Sequence, residues 1–244
     1  MKPLLETCGL KKSYGALCAL DEVSLEVYPG EILGIVGRSG CGKSTLLRII
    51  SGLEAPDGGR LLLDGVPLSG HRSIESLRHI QMVFQDACGS MHPRRTVRAS
   101  INDAAKSLMG KAFEPDLGAL CRSVGLSEEL LDRYPRTLSG GQCQRFAIAR
   151  AIVSSPELLL CDEATSALDV TSQAQILRLL DALRREKNMS VVFVSHDLAA
   201  VSCLCDRMAV MSHGRIVEQG VTEKLLKAPQ SDCLKQLISS TMEV

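Results

Sequence analysis

Five short runs of nearly unbroken apolar residues stand out along the chain, at 31–37, 81–84, 157–163, 190–197 and 207–214. Runs of this kind are typical of strands covered on both faces, as in a parallel sheet between helices. Helical periodicity separates several of them, over 45–52, 172–186 and 198–205. The alternation of strand and helix predicts an α/β fold with a mainly parallel sheet.

Two regions depart from this alternation. Residues 4–28 partly alternate between apolar and polar positions and contain turns, which predicts a small N-terminal antiparallel β-subdomain. Residues from about 98 to 155 lack strand signals, so we expect an inserted α-helical subdomain there. Residues 222–244 are predicted to form a short helical tail.

The composition narrows the classes of function. The 244 residues are 45% hydrophobic, which is ample for the core of one globular unit or two closely fused ones. Lys plus Arg equals Asp plus Glu at 28 each, and a balanced charge argues against a general binder of nucleic acid or anionic membranes. The N-terminus does not resemble a signal peptide, and apolar runs stay below ~18 residues, so we expect no membrane span.

The ten cysteines are scattered, and their spacing does not match a zinc site. We therefore expect reduced, buried thiols that act as small hydrophobes.

A glycine-rich loop provides the strongest chemical signal. Gly37, Gly42, Lys43 and Ser44 match the pattern G-x-x-x-x-G-K-[ST] between a predicted strand and a predicted helix. Glycines let backbone N–H groups turn toward phosphate oxygens, and the helix N-terminus adds partial positive charge. Lys43 supplies a full charge and the Ser44 hydroxyl suits Mg²⁺. The strand and helix context argues against a chance glycine turn.

Acidic and polar residues follow the other predicted strands. Asp162 and Glu163 end an apolar run, where Asp162 suits Mg²⁺ and Glu163 is placed to polarise a water molecule. Gln85 and His196 also end strands. From spacing alone, a structural role for either of these two is as consistent as a functional one.

A second glycine turn occurs in the sequence TLSGGQ at 137–142, before a predicted helix and without a lysine. Ser139 could simply cap that helix. Alternatively, its hydroxyl and the N–H groups of Gly140 and Gly141 could hold a phosphate.

Together these motifs resemble the nucleotide-binding subunits of ABC transporters over nearly the whole chain. GRSGCGKST resembles the Walker A loop, LSGGQ is identical to the signature sequence, LLLCDE resembles Walker B and SALD at 166–169 resembles the D-loop. Gln85 and His196 stand where the family has its Q-loop and H-loop, and Tyr14 where an aromatic ring stacks on adenine. The implied fold is a P-loop NTPase (RecA-like) core, with 1–86 and 156–221 as the ATP-binding core, 87–155 as the helical signature subdomain and 222–244 as the tail.

The resemblance also implies the site residues. ATP would be bound by Tyr14, Gly37, Arg38, Ser39, Gly40, Cys41, Gly42, Lys43, Ser44, Thr45, Asp162, Ser139, Gly140, Gly141 and Gln142. The Mg²⁺ ligands would be Ser44, Gln85 and Asp162. The catalytic residues would be Glu163, His196 and Gln85.

The resemblance also implies the partners. Two ATP-binding subunits, identical or different, would sandwich two ATP molecules, each between the Walker loops of one subunit and the signature of the other. Two transmembrane permease subunits would dock near residues 85–110, where Arg94, Arg95 and Arg98 form a basic surface or a merely solvated one. An extracytoplasmic solute-binding protein would complete an importer, and this subunit would lie peripherally on the cytoplasmic face of the inner membrane.

The stretch MVFQDACGSMHPRRTV resembles the peptide and nickel importer class, with departures at Ala87, Met91 and His92. Arg38, Ala164 and the short C-terminal end favour the nickel branch, and an oligopeptide or dipeptide importer is the alternative. A soluble ABC ATPase acting on DNA is a remote alternative, disfavoured by the neutral charge and the short helical insert. Lys43 and the residues after the strands are all present, which gives no support to a degenerate subunit that only binds nucleotide.

Overall fold

The computed structural model describes residues 1–70 and 72–242. Among these residues, the larger of two sheets is built from β3, β6, β7, β8, β9 and β10, which span Ile32–Val36, Ile80–Val83, Leu158–Asp162, Ser190–Val194, Arg207–Ser212 and Arg215–Val221. Their order is β10-β9-β3-β8-β7-β6. All neighbours pair in parallel except β10, which runs antiparallel at one edge. The five apolar runs are therefore strands of one mainly parallel sheet, as predicted.

Both faces of this sheet are covered, which explains the unbroken apolar runs. In β7, Leu158 and Leu160 join one buried cluster, whereas Leu159 and Cys161 join another on the opposite face. Because successive side chains of a strand point to opposite faces, a strand between two hydrophobic layers needs apolar residues at every position.

The smaller sheet is antiparallel and covers one side of the molecule. It contains β1 Leu5–Tyr14, β2 Leu17–Val27, β4 Gly58–Leu63 and β5 Val66–Pro67 in the order β2-β1-β4-β5. The first two strands were predicted from residues 4–28, but β4 and β5 were not.

Helix α1, Lys43–Ser51, lies between the two sheets. Its side chains Leu46, Leu47, Ile49 and Ile50 are each 0% exposed. Full burial of one such side chain stabilises a fold by about 1.5–3 kcal/mol. The helix that follows the phosphate loop is thus fixed on both sides.

A helical layer covers the other face of the large sheet. It is formed by α3 Val97–Met109, α4 Leu117–Ser123 and α5 Gly140–Ala151, with α6 Val170–Lys187 and α7 Leu198–Leu204 beside them. Between residues 87 and 155, all of which the structure describes, there is no strand, as predicted.

The remaining helices are α2 Ile74–His79, α8 Thr222–Lys227 and α9 Asp232–Met242. The predicted tail contains the last two of these helices with a non-helical break at 228–231, and its last two positions, 243 and 244, lie outside the described residues. No helix in the described part of the chain is long and apolar enough to span a bilayer.

The cysteines are the main correction. Cys88 and Cys143 form a disulfide with their Cα atoms 5.5 Å apart, so the expectation of reduced thiols is wrong for this pair. Cys18 and Cys203 are exposed, contrary to the expectation of burial. The pairing could not be inferred from spacing, because 55 positions and several helices separate the two bonded cysteines.

Candidate functional site

The carboxyl ends of four parallel strands meet at one edge of the large sheet. Gly37 follows β3, Gln85 lies two residues after β6, Glu163 follows β7 and His196 lies two residues after β8. The register keeps these ends level, since Val83 pairs with Cys161 in the neighbouring strand. In open α/β sheets this edge is where ligands bind.

The phosphate loop, residues 37–45, connects β3 to α1 and depends on its glycines. Gly42 has a φ of 109° and precedes the first residue of α1. A Cβ atom there would collide with the carbonyl oxygen of Ala19 in β2. Gly40 also has a positive φ, of 78°, but a Cβ there would meet nothing within 4 Å. Of these two glycines, Gly42 therefore needs the absence of a side chain for space as well as for conformation, whereas Gly40 needs it for conformation alone.

This difference gives a paired prediction. We expect Gly42→Ala to weaken nucleotide binding by about tenfold or more, because the loop must move away from Ala19, and this corresponds to about 1.4 kcal/mol. Gly40→Ala introduces only the backbone strain, and we expect a loss of about threefold or less. Titration with a fluorescent ATP analogue measures both. Equal losses in the two variants would show that the contact with Ala19 is not what fixes the loop.

Lys43 is the first residue of α1, directly after Gly42, and is only 5% exposed. Its Nζ donates hydrogen bonds to the carbonyl oxygens of Gly37 at 2.7 Å and Arg38 at 3.1 Å. Burial raises the pKa of the neighbouring Cys41 thiol, and the charge of Lys43 opposes that rise. The loop thus carries a buried cation and a neutral thiol.

Ser44 and Asp162 meet across the loop and β7. The Ser44 hydroxyl donates to Asp162 Oδ1 at 3.1 Å. Burial is the main reason that the pKa of Asp162 is raised; the hydrogen bond from Ser44 opposes this rise and the charge of Glu163 adds to it. A cation beside Asp162 would favour the ionised form.

These oxygen donors fit Mg²⁺, which prefers hard ligands and keeps several waters or phosphate oxygens of its own. The described residues contain no group of three or more His, Cys, Asp or Glu side chains arranged for a metal. A site completed by phosphate oxygens does not need such a group.

Glu163 is the point at which the other strand ends converge. Gln85 Nε2 donates to Glu163 Oε2 at 3.1 Å, and His196 Nδ1 lies 3.5 Å from the same oxygen. Glu163 has a φ of 47°, an uncommon left-handed conformation for a residue other than glycine. Its N–H donates to Val194 at the end of β8, at 3.1 Å. The structure therefore brings together the three residues that the sequence analysis named as catalytic candidates.

A cavity of about 370 Å³ opens over the loop. It is lined by Tyr14, Leu17, Ala19, Ser39, Gly40, Gly42, Lys43, Ser44, Thr45, Gln85 and Glu163. The sequence analysis missed Leu17 and Ala19; the two-residue turn between β1 and β2 was the signal that could have placed them beside Tyr14. Other predicted residues, among them Gly37, Arg38, Cys41, Asp162 and His196, are near the cavity without lining it.

Tyr14 stands at the mouth of this cavity and is 43% exposed. Its hydroxyl donates to Glu54 Oε2 at 2.6 Å. Burial raises the pKa of Tyr14, and the hydrogen bond that its hydroxyl donates to Glu54 adds to the rise. A neutral, partly exposed ring at the cavity mouth is suited to stacking on a planar base.

The second glycine turn, the signature turn at residues 138–142, lies outside this cavity. Ser139 caps α5 in a capping box: its Oγ accepts from Gln142 N at 3.2 Å, and Gln142 Oε1 accepts from Ser139 N at 3.0 Å. A Cβ on Gly140 would lie 3.4 Å from Leu168 of the same chain. Among the described residues that line the cavity, none belongs to the signature turn, residues 138–142. The chain therefore holds the two glycine turns apart.

Two carboxylates at the end of β7, Asp162 and Glu163, lie beside a glycine-rich loop whose Lys43 is buried, and both features belong to a mainly parallel sheet. This combination defines a P-loop nucleoside triphosphatase. The family model described as ABC transporter matches residues 20–166. The chain belongs to the ABC transporter family, and it is an ATP-binding subunit that hydrolyses ATP to drive transport.

Individual relatives agree with this assignment. The oligopeptide transport ATP-binding protein OppF of Salmonella typhimurium is 42% identical over 231 residues, which cover 92% of this chain and 69% of OppF. The structure of cbiO1 from Clostridium perfringens, part of the transporter complex cbiONQ, has a TM-score of 0.83 at 27% identity and covers 100% of both chains. The dimeric post-hydrolysis structure of the ATP-binding cassette MJ0796 with ADP and Pi has a TM-score of 0.80 at 28% identity, covering 89% of this chain and 98% of that one.

Proposed function

We propose that this chain drives a peptide-class importer by enclosing ATP between two ATP-binding subunits. The observation that carries the proposal is the separation of the two glycine turns. The phosphate loop lines the 370 Å³ cavity, whereas the signature turn, residues 138–142, caps a helix away from it. Each chain then offers two incomplete half-sites, and a head-to-tail pair completes both. The dimeric form of MJ0796 supports this arrangement.

Within one half-site the roles follow from the contacts. Tyr14 stacks on the adenine, and the backbone N–H groups of residues 37–45 surround the phosphates. Lys43, held at 2.7 Å from Gly37 O, provides a charge for the β- and γ-phosphate oxygens. Ser44, Gln85 and Asp162 would hold Mg²⁺ together with the nucleotide, and the chemistry it would supply there would be neutralisation of charge on the phosphate oxygens.

Glu163 acts as the general base toward the attacking water. Gln85 and His196, at 3.1 and 3.5 Å from its Oε2, hold that carboxylate and its water in position. Because both contacts are made to the same oxygen, the other carboxylate oxygen is left to accept the proton.

The opposite half-site uses the signature turn. Ser139, Gly140, Gly141 and Gln142 begin α5, and the first N–H groups of an α-helix have no partner within the helix. The Ser139 hydroxyl still has its own proton to donate after accepting from Gln142 N. These groups bind the γ-phosphate of the nucleotide held by the other subunit, which is an identical chain or a related one.

The helical subdomain, residues 87–155, links this site to the permease subunits, which dock near residues 85–110. Arg95 pairs with Asp103 at 3.0 Å and Arg98 with Asp132 at 2.7 Å, so these two arginines already have acidic partners in their own chain. The subunit lies on the cytoplasmic face of the membrane, with its core at 1–86 and 156–221 and its tail from 222, and a solute-binding protein delivers the cargo on the other side.

The first cargo that we propose is a peptide, because the relative at 42% identity is named for oligopeptide transport. Nickel, which Arg38 and Ala164 favour, is the second.

A transport assay tests the proposal. In cells that lack this chain, we expect uptake of a labelled tripeptide to fall to background and to return with the wild-type chain but not with Lys43→Ala. Uptake of labelled nickel serves as the matched measurement and should stay unchanged. Loss of nickel uptake alone would show that the cargo is nickel rather than a peptide. Unchanged uptake of both would contradict the proposed importer class.

A further inference from the structure

The disulfide between Cys88 and Cys143 joins the segment that follows Gln85 to the helix that follows the signature turn. Cys88 lies three residues after Gln85, in the turn that leaves the large sheet. Cys143 lies in the first turn of α5, directly after the signature turn. Their Cα atoms are 5.5 Å apart. One covalent bond therefore fixes the segment after Gln85 to the helix that begins at Ser139.

The two cysteines are held together by more than their own bond. Arg150 of α5 donates to Ser90 O at 2.6 Å and to Ser90 Oγ at 3.0 Å. Cys143 Sγ also lies 3.4 Å from the carbonyl oxygen of Pro135, an acceptor for its proton when it is a thiol. These contacts keep the sulfurs near each other after reduction, so the bond can form again.

A reagent can reach this pair from the surface. A cavity of about 310 Å³ is lined by both cysteines, together with Gln85, Gly140 and the buried Gln144. Cys88 is half-buried, whereas Cys143 is 1% exposed. Cys88 is thus the sulfur that an incoming molecule meets first.

We propose that Cys88 and Cys143 form a reversible redox site that slows ATP hydrolysis when it is oxidised. The oxidant is a low-molecular-weight disulfide of the glutathione type. The Cys88 thiolate attacks it, forms a mixed disulfide and releases one thiolate; Cys143 then attacks Cys88 Sγ and releases the second. Two protein thiols lose two protons and two electrons, and the small disulfide is reduced to two thiols. Disulfides in a reducing compartment commonly serve in sensing of this kind.

The effect on hydrolysis rests on the proposed shared site. Closing a half-site requires the signature turn of one subunit to approach the nucleotide of the other while Gln85 takes its place at the metal. The disulfide ties the segment that follows Gln85 to the helix that begins after Ser139, so it limits how far the end of β6 and this helix can move relative to each other. Nucleotide binding to the phosphate loop does not involve this bond and should persist.

The experiment compares the full chain in dithiothreitol and in oxidised glutathione. We expect a peptide cross-link between Cys88 and Cys143 by mass spectrometry, a fall of about fivefold or more in the rate of ATP hydrolysis, and recovery in dithiothreitol. ATP affinity should change less than about twofold. Cys88→Ser and Cys143→Ala should both hydrolyse ATP, under either condition, at the faster rate of the wild-type chain in dithiothreitol. Cys203→Ser, which removes an exposed free thiol, should respond to oxidation like wild type.

Three results would overturn the inference: a cross-link without a change in rate, no cross-link at any ratio of glutathione forms, or inhibition that persists in Cys88→Ser and so comes from another thiol such as Cys41. Reduced protein that hydrolyses no ATP at any concentration would contradict the proposed shared site instead, since the cross-link still reports on the cysteine pair.

Discussion

Glu163→Gln is expected to lower the rate of ATP hydrolysis by about 10²–10⁴-fold, the range for removal of a general base. Glutamine keeps the shape of the side chain and its contacts with Gln85 and His196, but an amide cannot accept the proton of the attacking water. ATP binding should remain within about twofold of wild type, because Lys43 and Tyr14 are untouched. Phosphate release at saturating MgATP and titration with a fluorescent ATP analogue measure the two effects.

Glu157→Gln provides the matched control. Glu157 precedes β7 as Glu163 follows it, and it pairs with His79 at 3.0 Å on the surface, away from the cavity. The same chemical change there should leave the rate of hydrolysis unchanged. If Glu163→Gln turned over ATP at the wild-type rate, the assignment of Glu163 as the base would be wrong.

Ser139→Arg is expected to reduce hydrolysis by about 10²-fold, which is typical of losing a donor to developing charge, while a single chain binds ATP as before. The arginine cannot fit where the signature turn approaches the nucleotide of the other subunit. Lys43→Ala should instead abolish binding itself. Comparing affinity with hydrolysis in these two variants separates a site completed by a second subunit from one contained in a single chain.

Loss of the helix cap must be distinguished from loss of the shared site, because removal of an N-cap costs about 1 kcal/mol of stability. Asp116 caps α4 in the same helical layer by accepting from Ala119 N at 2.8 Å. Asp116→Ala should have a similar small effect on thermal unfolding and leave hydrolysis intact. Equal loss of ATP binding and hydrolysis in Ser139→Arg, or a wild-type rate that is the same per chain at all dilutions, would contradict the shared site.

The strands of the large sheet were predictable because burial on both faces requires apolar residues in succession. The edge strand β10 escaped prediction because none of its positions is buried and it therefore lacks an apolar run, and β4 because it begins with two glycines. Both strands are stabilised by hydrogen bonds to an antiparallel neighbour, β9 for β10 and β1 for β4. The sequence of the strand itself carries no signal of this pairing. Helix α1 begins at Lys43 rather than 45, since Gly42 already completes the turn of the loop.

The site was predictable in proportion to how local its parts are. Gly37 through Ser44 form one continuous motif, and Asp162 with Glu163 follow one strand, so chemistry and spacing alone indicated them. Tyr14, and the assignment of Ser139 to the nucleotide of another subunit, came only from resemblance, because their partners are distant in sequence or belong to another chain. The bond between Cys88 and Cys143 depends on how two segments fold back on each other, which no local pattern records.

The position of α1 between two sheets has a mechanical consequence. The apolar side chains of α1 are packed against both sheets, so we expect the helix and the loop before it to move little when a nucleotide binds. We therefore expect the displacement driven by ATP binding to fall on the helical layer on the other face of the large sheet, the helices at 97–151. If the proposed docking of the permease near residues 85–110 holds, one half of the subunit is a fixed frame and the other is the part whose movement reaches the permease.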